Sequence, residues 1–162
     1  MEKILKNIYS SKGKTLALKI TNGFTVIAFV LSYAFLLFYT FRESVYLGLG
    51  LFFSASIPFF IVSFVRAAFD APRPYEIYDF YLEKPKEREG KSFPSRHAYS
   101  AFSIAVLSFF FCTWAGILLL GFAMLLSVSR VLLGIHFIRD VLAGGVIGIA
   151  AGAIAIAILS FL

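Results

Sequence analysis

The chain holds two histidines, and each sits among residues that could handle a phosphate. His97 closes the run Phe93-Pro94-Ser95-Arg96-His97. His136 lies in Ser129-Arg130-Val131-Leu132-Leu133-Gly134-Ile135-His136-Phe137-Ile138-Arg139-Asp140. A third cluster, Arg66 through Pro74, reads Arg-Ala-Ala-Phe-Asp-Ala-Pro-Arg-Pro. Arg66, Arg73, Arg96 and Arg130 offer planar, permanently charged forks, which match phosphate oxygens. Ser95 offers a hydroxyl near an expected helix start, where free backbone N–H groups favour an anion. Asp140 follows His136 by four residues, so a helical turn there would put both side chains on one face. A carboxylate so placed fixes the imidazole tautomer and stabilises its cation, as the orienting partner of a nucleophile or base does.

Each residue taken alone has a plainer reading. An arginine at a span end anchors the helix or snorkels. A histidine can cap a helix, and Asp140 can pair with Arg139 or start a helix. These readings do not explain why both histidines, four arginines and Asp140 gather together. Two histidines with no nearby cysteine make a weak zinc site. No Walker loop or nucleotide-binding glycine motif is present.

The elements that must position these clusters are membrane spans. Of 162 residues, 60% are hydrophobic, 18% aromatic and only 15% charged, against about 25% charged in a soluble domain. Mean hydropathy is +0.87. Disorder is excluded for most of the length by the abundant aromatics and aliphatics. A single cysteine, Cys112, excludes a disulfide-stapled secreted fold and is expected to be a small buried residue. Charge-free windows cover residues 20–41, 44–65, 98–129 and 141–162. About 20 apolar residues cross a hydrocarbon core of ~30 Å. The window 98–129 is long enough for two short spans, with a turn at Cys112-Thr113-Trp114-Ala115-Gly116. The expected fold is one all-α integral membrane domain over residues 1–162. Its five spans lie at about 21–41, 45–66, 97–112, 115–134 and 138–161.

Residues 1–20 alternate Ile4, Leu5, Ile8, Tyr9, Leu16 and Leu18 with five lysines, which fits a basic interfacial helix. Residues 67–95 form the long polar connection, with six of the nine acids, and its length marks a functional loop. Tyr75, Tyr78, Phe80 and Tyr81 there are expected at the headgroup level. Gly144, Gly148 and Gly152 lay a stripe along one helix face. Packing inside the bundle is the favoured use of that stripe, and homodimerisation is the alternative. With five spans, all three charged clusters reach the same bilayer face.

These clusters resemble the tripartite signature of the type 2 phosphatidic acid phosphatase (PAP2) superfamily. Arg66, six residues, then Arg73-Pro74 form the first block. Pro94-Ser95-Arg96-His97 form the second. Ser129-Arg130, five residues, His136, three residues and Asp140 form the third. The resemblance covers residues 66–140. Arg66 stands where the family has lysine, and Arg96 where it has glycine. The family's usual six spans imply that an N-terminal span has here become the surface helix.

The resemblance implies a multi-pass cell-membrane enzyme that hydrolyses a lipid phosphate. Arg66, Arg73, Ser95, Arg96 (by its main chain at least) and Arg130 would hold the phosphate. His136 would attack phosphorus, Asp140 would orient His136, and His97 would protonate the leaving oxygen. No cofactor, metal or nucleic acid is expected, because four arginines can compensate the phosphoryl charge. The partners are the bilayer and a lipid phosphate. A lipid phosphotransferase using the same phosphohistidine is the nearest alternative. A non-enzymatic membrane protein would need no His–Asp pair beside arginines, and the soluble vanadium haloperoxidases of this superfamily lack membrane spans. Fourteen of the 15 lysines and arginines fall on the active-site side of the five-span arrangement. The positive-inside rule then puts the site in the cytoplasm and points to phosphatidylglycerophosphate. An outward site, commoner in the family, points to undecaprenyl pyrophosphate, and Arg96 would suit a pyrophosphate.

Overall fold

The structure, a computed structural model, describes residues 2–78 and 90–162. The sequence-predicted positions Asp79, Phe80, Tyr81, Glu83, Glu87 and Glu89 lie outside these residues. Seven helices follow in order: α1 (Glu2–Tyr9), α2 (Lys12–Glu43), α3 (Val45–Phe69), α4 (Pro74–Ile77), α5 (Arg96–Phe111), α6 (Thr113–Leu132) and α7 (Ile138–Leu159). No strand occurs among the described residues.

The expected spans map onto α2, α3, α5, α6 and α7. By length and composition, α2, α3, α6 and α7 are able to cross a membrane, four rather than five. Helix α5 has 16 residues, which at 1.5 Å each reach ~24 Å, short of a ~30 Å core. It is the inner helix, packed most extensively on α7 and α6 and also touching α3 and α2. Its neighbours cover it, so it does not need a full hydrophobic span of its own. The core gathers Leu51, Ala105, Leu107, Leu119, Ala123, Leu126, Ala155 and Leu159. Phe35, Phe38, Phe60, Phe64, Trp114 and Val146 are exposed around this core. A soluble monomer would not leave so much apolar surface open, but a bilayer covers it. Two buried threonine hydroxyls turn back on their own helix: Thr25 Oγ1 donates to the Thr21 carbonyl (2.9 Å) and Thr40 Oγ1 to that of Leu36 (2.9 Å). That satisfies them where no water is at hand.

The connections are short. Ser44 alone links α2 to α3, and its Oγ accepts from the Tyr46 N–H. Cys112 alone links α5 to α6. The turn expected over Cys112–Gly116 is thus one residue long. Cys112 is exposed there rather than buried, because it is the apex of the connection.

The N-terminus also departs from expectation. The interfacial helix ends at Tyr9, and α2 runs unbroken from Lys12, so residues 12–20 are the first turns of a span. At 32 residues, α2 is ~48 Å long, more than a ~30 Å hydrocarbon core requires. No sixth span occurs among the described residues. Helix α1 keeps Leu5 and Tyr9 buried and Lys3 and Lys6 exposed. The Tyr9 hydroxyl donates to the Leu133 carbonyl at 2.8 Å. Burial pushes the Tyr9 phenol up to about 12, so it stays a donor at any physiological pH. The basic N-terminus therefore lies at the end of the bundle where α6 finishes and α7 begins.

The glycine stripe is filled from within the chain. A Cβ on Gly144 would collide with the Ser95 carbonyl, and one on Gly148 with the Tyr99 carbonyl. A Cβ on Gly152 would come within 2.7 Å of the Val106 Cβ. Helix α5 occupies the face that a second copy would otherwise need.

Candidate active site

The first cluster turns at the end of α3. Arg66 is buried in the last turn, and its Nη1 donates to the Pro94 carbonyl at 3.4 Å. Asp70 ends the helix in a left-handed conformation, φ 37°, which a short polar side chain tolerates better than most. The polar connection thus starts at Asp70 rather than Ala67. Buried Arg73 donates from Nε to the Gly90 carbonyl at 3.0 Å, with its guanidinium 5.8 Å from the Tyr75 ring centroid. Tyr75 is buried beneath Arg73 rather than exposed at the headgroups.

The second cluster is stitched to the first. The Ser92 N–H donates to the Ala71 carbonyl (2.8 Å), and the Gly90 N–H to Glu76 Oε1 (2.7 Å). Gly90 has φ +66°, and a Cβ there would lie 2.6 Å from Asp70 Oδ1, so only glycine fits without strain. The Phe93–Pro94 peptide is cis. Ser95 then caps α5, its Oγ accepting from the Ala98 N–H at 3.4 Å, and its own N–H donates to the Asp140 carbonyl at 2.9 Å.

The third cluster is a tight reversal. Arg130 is buried in the last turn of α6, and its carbonyl accepts from Ile135 (3.0 Å) and His136 (3.4 Å). Gly134, at φ +62°, allows the reversal. Asp140 is the third residue of α7, and its carboxylate accepts from the Phe137 N–H at 2.9 Å, as in half of a capping box. His136 therefore precedes α7. The pair does not share a helix face, as the four-residue spacing suggested. The loop, not a helical turn, brings the two together.

His136 is fully buried. Its Nδ1 lies 3.8 Å from Asp140 Oδ2 and 3.3 Å from Ser92 Oγ, and Ser92 Oγ lies 2.5 Å from Asp140 Oδ2. His136 Nε2 has no hydrogen-bond partner among the described residues. Arg139 Nε stands 3.5 Å from Asp140 Oδ1, so the plainer pairing of Asp140 also occurs. Burial holds the His136 pKa below its ordinary 6.5; the charges of Arg73, Arg66 and Arg130 push it further down, against the upward pull of Asp140. The imidazole is thus neutral near pH 7, and an unprotonated ring nitrogen is free to attack.

Arg66, Arg73 and Arg130 thus act together on His136. The Arg96 side chain does not join them. It is half-buried, with its guanidinium 5.8 Å from the Phe59 ring centroid. With His97 it lines the head of an apolar cavity of about 430 Å³ whose walls include Phe29, Tyr33, Phe59 and Leu126. Only the main chain of Arg96 remains at the α5 start. Ser92 is the residue that sequence reasoning missed. A serine in a polar loop carries no spacing signal, and its contacts lie 44 and 48 residues away.

Two solved structures share this fold. The LpxE of Aquifex aeolicus superposes with a TM-score of 0.71 at 22% identity, covering 96% of this chain and 93% of that one. The first transmembrane PAP2-type phosphatidylglycerolphosphate phosphatase from Bacillus subtilis gives a TM-score of 0.75 at 20% identity, covering 99% and 85%. No curated protein sequence matches the chain. The PAP2 superfamily profile matches residues 43–161, which contain all three clusters and every helix that meets at His136. The chain belongs to the PAP2 superfamily.

Proposed function

We propose that the protein is a membrane lipid phosphatase working through a phosphohistidine on His136. The observation that carries this reading is the buried, neutral His136, whose Nε2 has no partner among the described residues, set among three arginines that converge from α3, its following loop and α6. Phosphoryl transfer needs little covalent help beyond a placed nucleophile and compensation of the equatorial oxygens' charge. Arg66, Arg73 and Arg130 compensate that charge, and the first turn of α5 behind Ser95 offers main-chain N–H groups to the same oxygens. His136 Nε2 attacks phosphorus in line. The P–O bond to the lipid breaks, and His97 gives its proton to the departing oxygen. Water then attacks the phosphohistidine, with His97 as base, and inorganic phosphate leaves. Asp140 holds the ring and balances its positive charge during both steps.

The apolar cavity supports a lipid as the leaving group, since His97 lines it together with apolar side chains of α2, α3, α5 and α6. The basic N-terminus, tied to the site end of the bundle through Tyr9 and Leu133, supports a cytoplasmic site and hence phosphatidylglycerophosphate. A second reading, undecaprenyl pyrophosphate, is favoured by the Arg96 guanidinium at the cavity head, where a second phosphate could bind. Release of inorganic phosphate from a panel of purified phospholipids and polyprenyl phosphates, with and without EDTA, tests the proposal. Release from a lipid phosphate, unaffected by EDTA, is expected. No release from any substrate contradicts it, and EDTA sensitivity contradicts charge compensation by arginine alone.

A further inference from the structure

We infer that Ser92 is a positioning residue whose hydroxyl, rather than a direct His136–Asp140 contact, carries the coupling between the imidazole and the carboxylate. The distances decide this. At 3.8 Å, His136 Nδ1 and Asp140 Oδ2 are too far apart for a hydrogen bond. Ser92 Oγ bridges them, 3.3 Å from Nδ1 and 2.5 Å from Oδ2. A carboxylate can only accept, so the Ser92 proton points to Asp140. The Ser92 oxygen must then accept from Nδ1–H. This polarity puts the ring proton on Nδ1 and leaves Nε2 bare, the nitrogen with no partner among the described residues. No covalent step is involved. When the ring becomes positive, both protons stay where they are and the charge is felt by Asp140 through one hydroxyl.

Ser92 is held for this task. It is fully buried, and its N–H is fixed to the Ala71 carbonyl at 2.8 Å. The strand of loop that binds Arg73 through Gly90 thereby also sets the tautomer of His136. Asp140 does not depend on Ser92 for its place, since Phe137 N–H and Arg139 also hold it. Removing the hydroxyl should therefore leave the fold intact.

The assignment deepens the phosphohistidine reading and rests on it for its kinetic consequence, but its direct test needs no turnover. The chain has only two histidines, so nitrogen NMR of histidine-labelled protein in bilayer discs gives two rings, and His97→Gln identifies which is which. The full-length wild type is expected to show His136 as a single Nδ1–H tautomer. Ser92→Ala should give mixed tautomers, and Ser92→Thr, which keeps the hydroxyl, should restore the single form. Ser92→Cys, nearly the same volume with a weak donor, carries the same expectation as Ser92→Ala and avoids a cavity. In phosphate release, Ser92→Ala should lower kcat roughly 10–100-fold, the usual cost of losing an outer hydrogen-bond partner, with KM unchanged. A single Nδ1–H tautomer retained in both Ser92→Ala and Ser92→Cys overturns the assignment. Mixed tautomers in a protein whose wild type releases no phosphate would support the hydroxyl bridge and refute the phosphatase reading.

Discussion

The Ser95 N–H donates to the Asp140 carbonyl at 2.9 Å, which fastens the start of helix α5 to the first turn of α7. This junction brings the second and third clusters together across 45 residues of chain, and Gly144 is what lets the two backbones approach.

Gly144→Ala should therefore cost both stability and activity. The new Cβ would overlap the Ser95 carbonyl, which is backbone and cannot step aside. Overpacking of this kind costs about 1–3 kcal/mol, and phosphate release should fall further than unfolding explains. Gly121→Ala is the control. Nothing lies within 4 Å of a Cβ there, so helix propensity should make it neutral or slightly stabilising, by less than about 1 kcal/mol. Thermal unfolding in detergent, with turnover measured well below the transition, separates the two effects.

The pH profile should report His136. Its pKa is lowered from 6.5 by burial and by three arginines, and the proposed mechanism uses the neutral ring as nucleophile. The acid limb of kcat/KM should thus fall below pH 6.5, and activity should be lost only as pH drops through that lowered value. The linkage has the same sign. The unfolded chain takes up a proton at the ordinary value and the folded chain does not, so acidification below pH 6.5 should weaken the fold. An acid limb above pH 6.5 would contradict the neutral ring.

Charge at the arginines should matter more than its exact shape at Arg66. Arg66→Lys keeps the charge where the superfamily has lysine and should retain activity within about tenfold. Arg130→Gln removes a buried charge that acts on His136 and should lower kcat/KM by roughly 10²–10³. Steady-state kinetics on a lipid phosphate distinguish them. Equal losses in both variants would mean that positioning, not charge, is what these residues supply.

Tyr9→Phe removes only the hydroxyl that reaches the Leu133 carbonyl. It should lower stability by about 1 kcal/mol, the net worth of one hydrogen bond. It should also lower activity modestly, since Leu133 begins the loop that carries His136. An unchanged melting temperature and turnover would show that α1 has no hold on the site.

The candidate site residues were legible in the sequence because a membrane scaffold leaves few charges to choose among. Arg66, Arg73, Arg130, His136 and Asp140 stood out against apolar windows, and the windows located the five large helices. What stayed hidden depended on contacts rather than types. Ser92 meets groups more than 40 residues away. The placement of the Arg96 guanidinium over the Phe59 ring carries no spacing signal either. The His136–Asp140 spacing suggested a helix, but Gly134 and the Arg130 carbonyl fold that stretch into a loop. Hydrophobic periodicity could not show that α5 is covered by its neighbours, nor that α2 begins as early as Lys12.

The central claim is that His136 is the nucleophile, and His136→Ala tests it most directly. The measurement is release of inorganic phosphate from a lipid phosphate by the purified variant, in a preparation whose circular dichroism and thermal melt match the wild type. The account predicts a loss of at least about 10⁴-fold, the scale seen when a covalent nucleophile is removed. Turnover within about tenfold of wild type by this folded variant would contradict it.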